Sequence, residues 1–269
     1  MKNKERAQVS HTFAICAYKE SPYLEKCIQS VLGQSVKTNV LMATSTPNEY
    51  IQALAEKYQI PLYIRNGKSD IRDDWNFAYD SCETQYVTIA HQDDQYHPDY
   101  VKEMQESLGK FAGKKVIMFF SDYMPILHGK IGERDINSKI RRLLRTPMKI
   151  KALAGRKFFK KAILAFGNSI CCPAVTYNKE LLGKSVFTSE LKFNIDWDTF
   201  YKLAGEEGAF AYVDKPFTYY RIHDGATSKE FIESHKRERD DTIMFRKFWP
   251  GWVTAVIMKF YKKAYETYD

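Results

Sequence analysis

Two adjacent carboxylates, Asp93 and Asp94, lie in the segment His91-Gln92-Asp93-Asp94-Gln95-Tyr96-His97-Pro98. The apolar run ahead of them, Tyr86-Val87-Thr88-Ile89-Ala90, has the composition of a buried strand. Behind them the spacing predicts a helix from Pro98 to about Leu108. The pair therefore falls at the C-terminal end of a strand, where open α/β sheets bind ligands. Side-by-side carboxylates repel each other and add little to folding. A hard divalent cation would relieve that repulsion, and Mg²⁺ and Mn²⁺ prefer oxygen ligands. A solvated turn carrying two surface acids has the same local pattern. His91 and His97 flank the acids, but no third and fourth ligand stands at a zinc spacing.

The elements that would position this turn alternate. Thr12 to Tyr18 reads as a strand. Ser21 and Pro22 suit an N-cap and first helical position, and Leu24, Cys27, Ile28, Val31 and Leu32 mark one helix face. Val40 to Ala43, Pro61 to Arg65, Tyr86 to Ala90 and Val116 to Ser121 read as further strands. Asn48 to Tyr58 and Asp73 to Cys82 read as helices between them. Such alternation predicts a doubly wound α/β domain, with a mostly parallel central sheet flanked by helices. After about Leu127 the pattern changes. The next stretch reads as helix interrupted near Thr146-Pro147 and Gly155. Pro173 to Tyr177, a helix from about Asp196, and strands at Phe210 to Val213 and Phe217 to Ile222 follow. Glu230 to Trp249 and Trp252 to Tyr268 read as terminal helices, split by Pro250-Gly251.

The chain has 269 residues, 44% of them hydrophobic, enough for one large domain with a real core. No apolar run is long enough to cross a bilayer. Met1 to Arg6 is charged and runs straight into a strand, so no signal peptide is expected. The five cysteines form no CxxC pair, which fits a reduced, cytoplasmic protein. Cys171 and Cys172, beside Pro173, read as buried rather than nucleophilic. Ten Lys or Arg residues and no acid fall between Ile136 and Ile163, more than the whole net charge of +8. A basic segment on a near-neutral body suggests a local anionic partner, and the missing recognition motifs argue against nucleic acid.

From about Thr12 to Ser228 the chain resembles the family 2 glycosyltransferases, which have the GT-A fold. Four blocks carry the resemblance. The first runs Phe13-Ala14-Ile15-Cys16-Ala17-Tyr18-Lys19-Glu20, with Leu24, Ser30-Val31-Leu32 and Gln34 after it. Asn76 stands fifteen positions before His91, the family's spacing from its "ARN" motif to its Asp-rich, DXD-like turn. Asn194-Ile195-Asp196-Trp197-Asp198 resembles the "EDWD" block. Pro216-Phe217-Thr218-Tyr219-Tyr220-Arg221-Ile222-His223 resembles the closing "YYRIH" strand. The implied organisation is a GT-A domain over 1–228, comprising a nucleotide-sugar half at about 10–125, a basic helical insertion at about 136–165 and an acceptor-side half at about 166–228. A helical extension over 229–269 completes it.

The resemblance implies an inverting, metal-dependent hexosyltransferase that moves a sugar from a nucleotide-sugar, UDP-linked, to a saccharide or lipid-linked acceptor in bacterial polysaccharide or glycolipid assembly. Ala17, Tyr18 and Glu20 would border the nucleotide, with Asn76 on the donor side. Asp93 would approach the ribose or donor sugar, Asp94 would hold Mg²⁺ or Mn²⁺, and His223 would reach the diphosphate or the metal. Asp196 would be the general base, at a helix start that favours its ionised form; Asp198 is its rival, and a plain helix-start acid is the other reading. Asn168 suits either the acceptor side or a turn. Three departures stand out: Ala43-Thr44-Ser45-Thr46-Pro47 lacks the uracil-binding Asp, Trp75 replaces the Arg of "ARN", and His91 and Ile195 replace acids. Two other readings remain: a nucleotidyltransferase acting on a sugar phosphate, although no glycine-rich triphosphate loop follows the first strand, and a non-catalytic sugar- or partner-binding module on the same fold. The segment from 136 to 163 suits peripheral contact with an anionic membrane at its inner face, or a solvated cover over the active site.

Overall fold

The computed structural model describes residues 9–223 and 236–263. Its sheet begins with β1 (His11–Ala17), β2 (Asn39–Thr44), β3 (Leu62–Ile64) and β4 (Tyr86–His91), joined by α1 (Leu24–Leu32), α2 (Glu49–Lys57) and α3 (Ile71–Asp80). These four strands are parallel, in the order β3-β2-β1-β4. Crossover helices force that arrangement, and strands covered on both faces are apolar throughout, as Phe13, Ala14 and Ile15 are, all fully buried. Asn48 caps α2 by accepting from Ile51 N at 2.9 Å, and Asp70 caps α3 from Arg72 N at 3.2 Å.

Beyond β4 the sheet turns mixed. β5 (Gln95–Tyr96) lies inside the acidic turn, followed by α4 (Tyr100–Gly109), β6 (Val116–Leu127) and β7 (Lys130–Ile131). β8 (Val175–Asn178) runs antiparallel between β4 and β6, and β9 (Ala209–Arg221) runs parallel to β6 and antiparallel to β5. The parallel half follows the α/β expectation, and the second half adds the antiparallel strands. The two strands expected at 210–213 and 217–222 are one strand. Pro216 is accommodated opposite Asp122, where the register with β6 shifts.

Three helix starts move. α3 begins at Ile71, two residues before Asp73, because Asp70 supplies its N-cap. α1 begins at Leu24, not at Ser21, because Ser21 and Pro22 form a preceding turn in which the Ser21 carbonyl accepts from Leu24 N at 3.2 Å. α4 begins at Tyr100, two residues past Pro98.

The basic segment breaks at the expected places. It consists of α5 (Ile136–Leu144), a 3-10 turn (Thr146–Lys149), α6 (Lys151–Ala154) and α7 (Lys157–Ala162). After β8 come α8 (Lys179–Leu182), α9 (Ile195–Gly205), α10 (Lys236–Arg246) and α11 (Gly251–Lys263). The expected helix start at Glu230 and the end at Tyr268 lie outside the described residues.

Part of the basic charge turns inward. Arg145 is fully buried and pairs with buried Asp122 and the Ser169 carbonyl. Arg134 reaches Asp122 at 2.6 Å, and Arg142 grips Asp214 with two bonds of 2.7 and 3.0 Å. Lys160 donates to the carbonyls of Glu206 and Gly208 at 2.7 and 2.8 Å. The bulge between β6 and β9 thus sets Asp122 and Asp214 where they anchor the insertion. Removing Arg145 takes the one fully buried guanidinium from Asp122, which keeps Arg134, and leaves the Ser169 carbonyl without that donor. Arg145→Ala should therefore lower stability by about 3 kcal/mol in urea denaturation. A loss within about 0.5 kcal/mol, the range of ordinary surface changes, would refute the anchoring role.

Candidate active site

A cavity of about 510 Å³ opens over the C-terminal ends of β1, β2 and β4. It lies where the parallel half of the sheet presents its strand ends, and Ala17 and Tyr18 form part of its wall. Gln92 fixes the mouth: its Oε1 accepts from Tyr18 N at 2.9 Å and its Nε2 donates to Tyr18 O at 3.0 Å.

His91 and Asp93 line the cavity, whereas Asp94 is fully buried behind them. Arg221, the last residue of β9, holds the turn. Its N–H donates to Asp94 Oδ1 at 2.8 Å and its Nε to Asp93 O at 2.8 Å. His223 Nε2 lies 3.1 Å from Asp93 Oδ2. Burial would raise the pKa of Asp93, but the bond from His223 and the nearby His91 bring it below the usual carboxylate range. Asp94 goes the other way: burial, then the charge of Asp93, push its pKa well up. Burial lowers the pKa of His91, partly offset by the charge of Asp93.

His91, Asp93 and Asp94 each offer a ligand atom, all within 4.8 Å of one another. Asp94 Oδ2 and His91 Nε2 are buried without a hydrogen-bond partner. Orphaned buried polar atoms are rare in a folded protein, and two beside one acidic turn fit a divalent cation. The His91 ring is positioned by stacking on Trp75, centroids 5.1 Å apart.

Across the cavity stands Asp196, on the first turn of α9. Its Oδ1 accepts from Trp197 N at 2.8 Å and its Oδ2 from Asn168 Nδ2 at 2.7 Å. Burial raises its pKa to about 6 against these bonds, within the range of a carboxylate base near neutral pH. Asp198 points elsewhere, buried against Lys202 at 2.9 Å and against Lys247. Burial would raise its pKa, yet those lysines hold it below the usual range.

Ala17, Tyr18, Asp93, Asp196 and His223 therefore share one cavity, with Asp94 immediately behind Asp93. Two expected residues do not join them. Glu20 is exposed and off the cavity wall. Asn76 is spent on the backbone of Phe187, donating to its O at 2.8 Å and accepting from its N at 2.9 Å, so it joins α3 to the segment after α8. Cys171 and Cys172 are on the wall, their thiols pushed well up in pKa by burial, as unreactive cysteines are.

The cavity also contains residues the sequence did not single out. Asp74, one position before Trp75, accepts from Arg65 Nε at 2.7 Å, Ser69 Oγ at 2.7 Å and Ser45 Oγ at 2.9 Å beside Thr44. Its position in the "ARN" block was the available signal. Arg141 of α5 and Tyr261 of α11 also reach the wall from segments without a transferable motif.

A mixed sheet whose parallel half carries an acidic turn at its strand ends, facing a helix-borne acid, is the GT-A architecture of glycosyltransferases. The profile of glycosyl transferase family 2 matches residues 12–164, more than half of the chain, and the protein belongs to that family. It resembles the S. aureus TarS 1-349 structure in complex with UDP-GlcNAc at TM-score 0.58 and 14% identity, over 93% of this chain and 70% of that one. A mannosyltransferase, PcManGT from Pyrobaculum calidifontis, in complex with GDP-Man and Mn²⁺, aligns at TM-score 0.55 and 12% identity, over 89% and 64%. Glucosyl-3-phosphoglycerate synthase from Mycobacterium tuberculosis, with Mn²⁺ and UDP-glucose, aligns at 0.53 and 14%, over 91% and 81%. No curated protein matches the sequence. Among the described residues no helix is long and apolar enough to cross a membrane.

The raised pKa of Asp196 has a signed consequence. A carboxyl with a folded pKa of about 6 and an unfolded value near 4 favours the native state fully below about pH 4. That contribution is lost as pH rises through 6. Asp196→Asn should therefore gain about 2 kcal/mol relative to wild type between pH 4 and 7, read from urea denaturation at each pH. A pH-independent difference would show that Asp196 titrates normally.

Proposed function

We propose that this glycosyltransferase moves a sugar from a UDP-linked donor to a hydroxyl of a saccharide or lipid-linked acceptor, inverting the configuration at C1. One observation carries the reading: Asp93, at the end of β4, and Asp196, on the first turn of α9, face the same cavity. The donor class draws support from the nucleotide-sugars bound by the similar structures, two of three being UDP-linked.

In this reading Ala17 and Tyr18 border the nucleotide. Asp93 and His91 would hold Mg²⁺ or Mn²⁺ from the cavity side, with Asp94 Oδ2 behind them. When bound, the cation supplies positive charge against the departing diphosphate. His223 keeps the Asp93 carboxylate oriented through Nε2. Asp196 accepts the proton of the attacking hydroxyl as its oxygen bonds to C1 and the C1–diphosphate bond breaks. Trp197 N–H and Asn168 fix the direction of that carboxylate. One displacement with base and leaving group on opposite sides gives inversion, and no covalent sugar intermediate is needed. Asp198, neutralised by two lysines, is unsuited to the base role. The setting is bacterial polysaccharide or glycolipid assembly at the inner face of the membrane, which residues 136–163 would contact. Nucleotidyl transfer is disfavoured by the family the chain belongs to.

The first test is calorimetric titration of UDP with and without Mn²⁺, followed by transfer from UDP-sugars. Asp196→Asn should lower transfer by about 10²- to 10⁴-fold while sparing UDP binding. Asp93→Asn and Asp94→Asn should weaken the Mn²⁺-dependent part of UDP binding by about 10- to 100-fold. UDP binding that ignores Mn²⁺, or full transfer by Asp196→Asn, would overturn the corresponding role.

A further inference from the structure

Helix α5 is built inside out. Arg141 lines the cavity, and Arg145 at the helix end is buried. Ile136, Ile140 and Leu143, at positions i, i+4 and i+7, share a helix face and are 75%, 50% and 71% exposed. No residue within the helix is buried. Folding thus gains little from the apolar stripe, whose exposure runs against the normal orientation of a surface helix. Ile150 and Phe158 continue the exposed apolar set through the same segment.

Helix α11 repeats the arrangement. It lies on the cavity through Tyr261, while Trp252, Val256 and Phe260, at i, i+4 and i+8, are 75%, 51% and 71% exposed. Scattered exposed apolar residues are ordinary, but two in-register stripes on helices bordering one cavity are not.

The charges around the stripes indicate what covers them. Lys139, Lys151, Arg156 and Lys157 are exposed in the basic segment, and Lys259 is exposed within the α11 stripe. Neither α11 nor residues 136–163 contains an acid. Apart from Glu133 and Asp135 ahead of α5 and Glu238 beside Lys262, the charges next to the stripes are cations, which matches an anionic lipid headgroup layer, where the apolar side chains enter the acyl boundary and the cations stay among the phosphates. A second copy of the chain would bring the same cations against each other.

We propose that the exposed stripes of α5 and α11 dock this protein peripherally on an anionic lipid surface, bringing the cavity that both helices border to an acceptor anchored in that surface. The nature of the acceptor rests on the glycosyltransferase reading above; the docking itself does not.

Cosedimentation with phosphatidylcholine vesicles, with and without phosphatidylglycerol, tests it on the full chain. Wild type should sediment with the phosphatidylglycerol vesicles only, and less as salt rises. The double variants Ile140→Asp/Leu143→Asp and Trp252→Asp/Phe260→Asp should each lower partitioning by roughly tenfold or more. Both should keep the circular dichroism and UDP binding of wild type, since none of the four residues lines the cavity. Equal sedimentation with neutral vesicles, or wild-type partitioning by both variants, would overturn the proposal. So would a wild-type dimer in light scattering that binds no vesicles and is split by the variants. Vesicle binding without UDP binding would sink the transferase reading and spare the docking surface; the reverse result would do the opposite.

Discussion

Adjacent carboxylates at the end of a buried strand are held there by the last residue of a distant one. Arg221 donates its backbone N–H to Asp94 and its side chain to the Asp93 carbonyl, and stacks over Tyr23 at 4.4 Å. These contacts fix the turn in spite of the repulsion between its acids. They also split the pair. Asp94, deprived of water, is pushed towards its protonated form, whereas Asp93, beside His223, stays ionised. One turn thereby presents a committed anion to the cavity and keeps a second oxygen in reserve behind it.

Much of this was legible in the sequence. The apolar periodicity of the first half placed β1 to β4 and their helices within a few residues, because parallel strands covered on both faces leave a plain apolar signature. The acidic turn and Asp196 were visible as types and spacing. The mixed half was harder. Pro216 made β9 look like two strands, since its missing donor is a break signal that a bulge absorbs. Nothing local reveals that β8 slots between β4 and β6, because strand order is a non-local property. Asn76 fits its motif by position, yet its amide is spent on Phe187, a partner 111 residues away.

The basic segment shows why composition misleads at the level of single residues. Its charge suggested a surface, and several of its cations are exposed. Others, Arg142, Arg145 and Lys160, bind acids and carbonyls of the sheet and its flanks. The segment is at once an anchored part of the fold and the bearer of three of its most exposed apolar residues, Ile136, Leu143 and Phe158. A run of like charge gives the potential of a region without saying which side chains create it.

The placement of β8 and β9 also bears on the order in which the molecule can be finished during synthesis. A nascent chain that has emerged only as far as the basic segment has a bare β4 edge, because the strand that covers it has not yet been made. Its acidic turn has no Arg221 to hold it. The geometry of the candidate site therefore waits for contacts of long sequence separation, the slowest to form. A truncated product of this chain would carry the sequence of the acidic turn without the strand that shapes it.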